Sequence, residues 1–448
     1  MSAIVTRLIA TGLLLVAANV AVADAQPPGQ SESTNRYVDD AHGLTIDDLV
    51  ALALEKAPSI LASRARVEVA RGDLVQAGLR PNPSASFEWR DEVGGVDNQS
   101  LVGMSWPLDL TRRDGRTNVA RQQVVGAERI ESDRERELAA TVRRQAGHLL
   151  AAVRQLAVRE SLSNAARQTR DLLAARAESG AGPPLDRDVG EVEWRRAEAD
   201  LARQRAETDV ALAELKALVG LPPESSLLLR EGLEAMVGRG PVAGVPIELD
   251  AAAIARAMNT RPDVQAAESQ IALAIARTDL LRREARPEVS VVGSYMRMDA
   301  GFPQFGLTAA GEPVPIRDVF HNVSFGAMVT VPWRNRQQGA IAASTAAETA
   351  ARQEREALRL SVAAEIEAAR VREEQARRVW EIYSGGLRDL ALKNLEVTRE
   401  SHRLGRATLV EVLAETRRYL EVETAYTDAL LGILNARIAL ANALGVVR

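Results

Sequence analysis

The chain repeats itself, and the spacing between the copies limits the folds open to it. Ala57-Pro58-Ser59-Ile60 returns as Arg261-Pro262-Asp263-Val264, and Pro83-Ser84-Ala85-Ser86 returns as Pro287-Glu288-Val289-Ser290, each 204 residues later. Pro107 is answered by Pro332, and Leu218-Val219-Gly220 by Ala443-Leu444-Gly445, each 225 residues later. The offset grows by 21 between these pairs, so a single insertion of about that size lies between Pro287 and Pro332. The chain is therefore expected to form two similar units, 44–220 and 249–448. The proline- and glycine-rich stretch 221–248 joins them.

Each unit contains a very long helical pattern. No proline interrupts the 75 residues between Pro107 and Pro183, or the 116 from Trp333 to the C-terminus. Leu138, Val142, Ala146, Leu149, Val153 and Leu156 recur in steps of three and four, the period of one helix face. A helix from Arg112 to Ser179 would run roughly 100 Å. The matching stretch Arg336 to Leu404 has a similar length, with Gly385-Gly386 as a point of kinking. Both rods end in tight turns, at 179–184 and 403–407, and a helix of about 35 residues returns from each. Shorter helices, 44–78 and 249–284, precede the segment bracketed by the paired prolines. Only 3% of the residues are aromatic, as in long helices or coiled coils.

The bracketed segments have a different period. Ala85, Phe87 and Trp89 alternate with Ser84, Ser86, Glu88 and Arg90, and Val102, Met104, Trp106 and Leu108 continue the apolar set. In the second unit Val289, Val291 and Tyr295 alternate with Ser290 and Ser294, and Val323, Phe325, Ala327, Val329 and Val331 alternate with Ser324, Gly326 and Thr330. Two β-hairpins follow, 83–108 and 287–332, with strands near the roughly 9–11 residues needed to cross a bilayer. Of the 15 aromatic residues nine lie within 83–108 and 287–333, all five phenylalanines among them. Such concentration fits a membrane-interface belt formed by Phe87, Trp89, Trp106, Tyr295 and Phe325. An amphipathic hairpin packed on a soluble core is the alternative.

Residues 1–25 read as an export signal: Arg7, an apolar run through Val16, and small residues at 21–25. Residues 26–43 read as a flexible lead-in. With no cysteine there is neither a disulfide framework nor a thiol for lipid attachment. Beyond the signal no run approaches 18 apolar residues, so a membrane crossing would have to be a closed β-barrel. Four strands cannot close one, since about eight is the smallest number known. Two copies would supply eight strands with a filled interior, and three would supply twelve with room for a passage. The fold class expected is mainly α with a small β part and an internal two-fold repeat. It combines a long helical coiled-coil barrel with a transmembrane β-barrel, four strands per chain and twelve in a trimer.

In this order of elements the chain resembles the TolC-like outer-membrane efflux proteins. The approach Leu79-Arg80-Pro81-Asn82-Pro83 and the departures Trp106-Pro107-Leu108-Asp109-Leu110 and Val331-Pro332-Trp333-Arg334-Asn335-Arg336-Gln337-Gln338-Gly339 resemble most the heavy-metal (cobalt–zinc–cadmium) branch. The resemblance implies a homotrimer in outer-membrane lipid and a helical tunnel in the periplasm. It also implies a periplasmic adaptor protein and an inner-membrane pump of the resistance-nodulation-division type as partners. It places adaptor docking at the tip turns (Gly182, Pro183, Leu404, Gly405) and a constriction just beyond them. Asp188 and Glu411 each lie six residues past a turn glycine, Gly182 and Gly405. Glu411 falls where the family constricts with an aspartate. Ala414 stands where some relatives carry a second acid, and His402 where an aromatic gate residue is known.

Threefold copies of Glu411 would form an acidic, cation-selecting ring, with Arg403 or Arg406 as the expected partners. The plainer reading is an acid in the first turn of a helix. Phe302 and Phe305, inside the 21-residue insertion, are expected in an extracellular loop.

The net charge of −5 is spread along the chain and implies no nucleic-acid partner. His42, His148, His321 and His402 are scattered, without metal-ligand spacing. Met296 and Met298 share a strand face but read as wall residues. No phosphate loop or nucleophile–base pair appears, so neither enzyme activity nor a cofactor is expected. The function expected is a passive outer-membrane exit duct with metal cations as the first-choice cargo. The rival is a soluble periplasmic coiled-coil adaptor or scaffold, which leaves the two aromatic hairpins unexplained.

Overall fold

The computed structural model describes residues 36–93, 95, 97–239 and 251–446. The export signal at 1–25 lies outside them, as do 240–250 of the join. In the first unit, α1 (Ile46–Lys56) and α2 (Pro58–Gly78) lead to strands β1 (Ser84–Asp91) and β2 (Asn98–Pro107). The long α3 (Arg112–Glu178) and its return α4 (Pro184–Val219) follow. A short α5 (Leu233–Arg239) sits in the join. The second unit repeats the order with α6 (Ala251–Thr260), α7 (Pro262–Glu284), β3 (Glu288–Leu307), β4 (Pro313–Thr330), α8 (Gln338–Ile382), α9 (Arg388–Arg403) and α10 (Leu409–Ala443).

Three prolines mark helix starts. Pro58, Pro184 and Pro262 each open a helix, where a missing N–H costs nothing and the fixed φ is already helical. The return helices end at glycines with left-handed backbone, Gly220 at φ 83° and Gly445 at φ 70°.

The two rods differ in one place. Helix α3 is unbroken over 67 residues, about 100 Å at the helical rise. Its counterpart breaks into α8 and α9 at a π-helical turn, Tyr383–Leu387, where Gly385 has ψ 18° and Gly386 has φ 111°. At the 225-residue offset α3 has Glu160-Ser161, which lack this backbone freedom.

The strands form one antiparallel sheet in the order β1-β2-β3-β4. The register keeps the faces in phase: Phe87, Val102, Tyr295 and Val323 stand side by side, as do Ser86, Gly103, Ser294 and Ser324. The apolar residues share one face with Trp89, Trp106 and Phe325. The serines line the concave side, where the Ser294 and Ser324 hydroxyls are 2.7 Å apart.

Two expectations need correction. The insertion is not an open loop: β3 and β4 pair beyond the first hairpin, from Ala300 opposite Asp318 to Leu307 opposite Pro313, with a bulge between Phe302 and Phe305. Alternating Val, Ile and Phe on β4 favour a ladder, and Gly311 at φ 82° helps close the turn. The lead-in is ordered from residue 36. Tyr37 and Val38 are buried, and the Tyr37 carbonyl accepts from the Leu229 N–H at 2.9 Å. This apolar pair has a site to fill, which a proline-rich approach obscures.

The main core lies at mid-height of the rods. Leu138 to Leu156 of α3 pack with Leu49 and Ala53 of α1, Leu215 and Val219 of α4, Leu233 of α5, and Leu430 to Ile438 of α10. Each buried Leu or Val there contributes about 1.5–3 kcal/mol. Outside this belt α3 buries little: Gly115, Ala120, Gly126, Arg136, Ser163 and Leu173.

Candidate functional site

The first site region is the pair of tips. Both rods end in the same motif: Gly180 at φ 72° and Gly405 at φ 73°, with the Ala181 N–H donating to the Arg176 carbonyl and the Arg406 N–H to that of Ser401, both 2.8 Å. These bonds satisfy carbonyls left over at the helix ends. A Cβ at Gly182 would come within 3.3 Å of the Arg176 Cβ, so the first turn is tight there. Pro183, at φ −66°, leads into α4. Leu404, Leu185 and Val410 leave apolar side chains exposed at the tips.

Glu411 is the third residue of α10 and closes a capping box. Its Oε2 accepts from the Thr408 N–H at 2.6 Å, while the Glu411 N–H donates to the Thr408 hydroxyl at 3.3 Å. These bonds, the backbone one first, hold its carboxyl below the ordinary glutamate range. The pairing with Arg403 expected from the sequence does not form, because Arg403 is engaged by Glu400 at 2.6 Å, one turn back on its own helix. Asp188 is held by its neighbour Arg187 at 2.8 Å, and no hydrogen bond or ion pair joins it to Glu411. His402 binds the Ala407 carbonyl at 2.9 Å through Nδ1. A carbonyl only accepts, so Nδ1 carries the proton. Nε2 is buried with no hydrogen-bond partner among the described residues.

The second region lies at the kink and was not singled out from the sequence. Glu423 of α10 is 1% exposed. Its carboxylate accepts from Arg388 Nε at 2.7 Å, Arg154 Nη2 at 2.9 Å and the Tyr419 hydroxyl at 3.1 Å. Arg154, on α3, also donates to Glu234 on α5 and to Thr427. The ring of Tyr426 lies within 4.8 Å of the Arg154 guanidinium and 5.4 Å of that of Arg388. Burial alone raises the Glu423 pKa, but the two arginines outweigh it and leave the carboxyl below its ordinary value. The Tyr419 hydroxyl is pushed up to about 12, first by burial and then by Glu423.

One carboxylate thus ties rod 1, the join, the return helix and the residue two positions past Gly386. The available signal was a charge in an apolar stripe, since Glu423 lies between Leu420 and Thr427-Leu430. Its counterpart in the first unit, Glu198, is 54% exposed on its side chain.

Among the described residues no group of three or more His, Asp or Glu could hold a metal ion, and no helix is long and apolar enough to cross a membrane. A family model described as outer membrane efflux protein matches residues 49–221 and 253–446. The chain belongs to the outer membrane efflux protein family. It is therefore an outer-membrane efflux channel, the exit duct of a tripartite efflux system, and the soluble-adaptor reading is set aside. Members of this family are channels rather than enzymes.

Solved structures share the fold along nearly the whole chain. CusC, studied for conformational changes accompanying folding and transmembrane channel formation, superposes with a TM-score of 0.71 at 16% identity, over 94% of this chain and 98% of that one. The outer-membrane channel OprN gives 0.69 at 19%, over 94% and 98%. The MtrE outer membrane channel of Neisseria gonorrhoeae, in its open state, gives 0.69 at 19%, over 89% and 88%. No curated protein matches in sequence.

Proposed function

We propose that three copies of this chain close a twelve-stranded β-barrel continuous with a helical tunnel. The observation carrying this reading is the open sheet. Among the described residues strand β1 pairs only with β2 and β4 only with β3, so two edges of the sheet are bare. Unpaired backbone in hydrocarbon costs several kcal/mol per group, and joining β4 of one copy to β1 of the next removes both edges. Phe87, Trp89, Trp106, Tyr295 and Phe325, all exposed in the single chain, would then face lipid, with the serine-lined face toward water. The poorly buried ends of α3 would gain neighbours in the same assembly.

In this reading the tips at Gly182-Pro183 and Leu404-Gly405 dock a periplasmic adaptor, which connects to a resistance-nodulation-division type pump. Glu411 and Asp188, with His402, Arg403 and Arg406 nearby, narrow the tunnel there. The hydrogen bonds that lower the Glu411 pKa keep it ionised, so its three copies would favour cations. Glu411→Gln separates this role from capping, because glutamine can still close the box without a charge. Loss of cation selectivity in single-channel recordings supports the ring, and unchanged selectivity removes it.

Metal cations are the first-choice cargo, on the branch resemblance of Val331 to Gly339. Deleting the gene and comparing sensitivity to zinc, cobalt, cadmium, copper and organic drugs tests the cargo. Sensitivity to drugs alone would overturn the metal assignment.

A further inference from the structure

Between the kink and the tips, α3 and α4 stand apart from α9 and α10 and enclose a cavity of about 200 Å³. Its wall is largely apolar, with Leu162 of α3, Val189 of α4, and Val412, Leu413 and Leu420 of α10. Ala165, Ala166 and Ala197 complete it, so the wall is short of side-chain volume where α9 passes. Helix α9 lines it with Arg399, about one turn past Leu395, its only buried residue. An arginine in such a place ordinarily meets a carboxylate. Among the described residues no hydrogen bond or ion pair engages the Arg399 guanidinium, while Arg388 and Arg403 on the same helix are held by Glu423 and Glu400. Burial lowers its pKa, and Tyr419 and Glu396 pull the other way, but a guanidinium stays charged. The other charges at the cavity do not answer it. Glu193 lies 3.5 Å from both Arg196 and Arg417, and Asp200 is paired with Arg203 at 3.2 Å. Arg159 gives its Nε to the neutral Gln204 side chain at 3.1 Å. The lining thus holds four arginines against two carboxylates, both already engaged. A partly desolvated cation beside an unfilled apolar wall calls for an anion with an apolar body.

We propose that this cavity binds a small amphipathic carboxylate, its acid group on Arg399 and its apolar body against the α3 and α10 walls. A mostly apolar wall with a few placed charges is the usual form of a small-molecule site. A cavity of about 150 Å³ takes benzene, so the space here suits one aromatic ring or a short branched chain beside the acid group. A guanidinium can hold a carboxylate through two parallel N–H donors, which favours a carboxylate over a spherical anion. The cavity lies within one chain, so the site does not depend on how many copies assemble. A bound acid touches both helical hairpins and holds α9 and α10 against α3 and α4.

Benzoate titrated into the full chain, purified in a neutral detergent, tests the site by calorimetry and by amide hydrogen exchange. Binding is expected at about 0.1–1 mM, the range open to a ligand of this size. With about 10 mM benzoate, exchange in α9 and the first turns of α10 should slow about tenfold or more, because the ligand binds only the closed form. Benzylamine, with the same ring and the opposite charge, and acetate, with the charge and no ring, should do neither. Arg399→Gln should weaken benzoate binding about tenfold or more, and Arg399→Lys by less. Ala166→Leu, which keeps every charge and fills the space, should abolish it.

Benzoate that fails to bind, as it would if a side chain from a neighbouring copy already filled the cavity, overturns the site and leaves the channel standing. Binding that Arg399→Gln leaves unchanged, or that benzylamine and acetate match, overturns it as well. Arg399 is partly exposed, so Arg399→Gln decides the test alone if Ala166→Leu does not fold.

Discussion

Replacing Glu423 with glutamine should loosen the lower half of the second rod without unfolding the protein. Arg388 and Arg154 each lose a charge-assisted bond to the carboxylate, at 2.7 and 2.9 Å, and such bonds are worth about 1.5–3 kcal/mol apiece. Breaking a buried pair by removing one partner costs about 3–5 kcal/mol when the orphaned charge has nowhere to go. Here the loss is partly relieved. The glutamine Oε1 still accepts one bond, Arg154 keeps Glu234 and Thr427, and the Arg388 side chain is 38% exposed and can turn to water. A net cost of roughly 2–3 kcal/mol remains, placed where α9 leaves the Gly385-Gly386 kink.

Local opening of α9 should then be about 30- to 150-fold more frequent, read as faster amide hydrogen exchange from Arg388 to Arg403. The upper part of α3 should be unaffected. Glu198→Gln is the internal control, because that side chain is 54% exposed and its pairings contribute little. If α9 exchanges at the same rate in Glu423→Gln and wild type, the carboxylate does not hold the kink and the reasoning fails.

The same carboxylate predicts an acid transition. The folded pKa of Glu423 lies below its unfolded value. Its stabilisation is therefore complete above the unfolded value of about 4.3 and lost as pH falls through the folded one. A near-UV dichroism change below about pH 4, missing in Glu423→Gln, checks this. Gly386→Ala should cost about 1–3 kcal/mol from backbone strain alone, because an added Cβ meets nothing within 4 Å. Gly385→Ala, at φ −76°, should stay within about 0.5 kcal/mol, and thermal denaturation separates the two. Thr408→Ala removes the cap of α10 and should cost about 1 kcal/mol, seen as roughly fivefold faster exchange at Glu411 to Leu413.

Much of this fold was legible because the same punctuation occurs twice. Prolines at helix starts and glycines at helix ends act through local backbone sterics, so Pro58, Pro262, Gly220 and Gly445 mark their elements without tertiary context. The kink at Gly385-Gly386 was legible for the same reason. Strand faces followed from period two, which fixes both sides once the register is set. What escaped depends on contacts far apart in the chain. Tyr37 and Val38 look like part of a polar leader until Leu229 is beside them. The Phe302–Leu307 stretch reads as a loop because Pro303 and the nearby Pro313 outweigh a β-rich partner strand six or more residues away.

At the tips, position alone placed Glu411 correctly at a helix start but gave it the wrong partner. Arg403 has a glutamate one turn back on its own helix, and that local pairing wins. Glu423 stood out only as a charge in an apolar stripe, and nothing in one sequence reports that Arg154 and Arg388 converge on it.

The central claim is that four strands per chain are one third of a closed barrel. Native mass spectrometry of the particle extracted in detergent from outer membranes tests it most directly. A mass three times that of one chain is the result the account predicts. A monomer or a dimer, which would supply only four or eight strands, would contradict it.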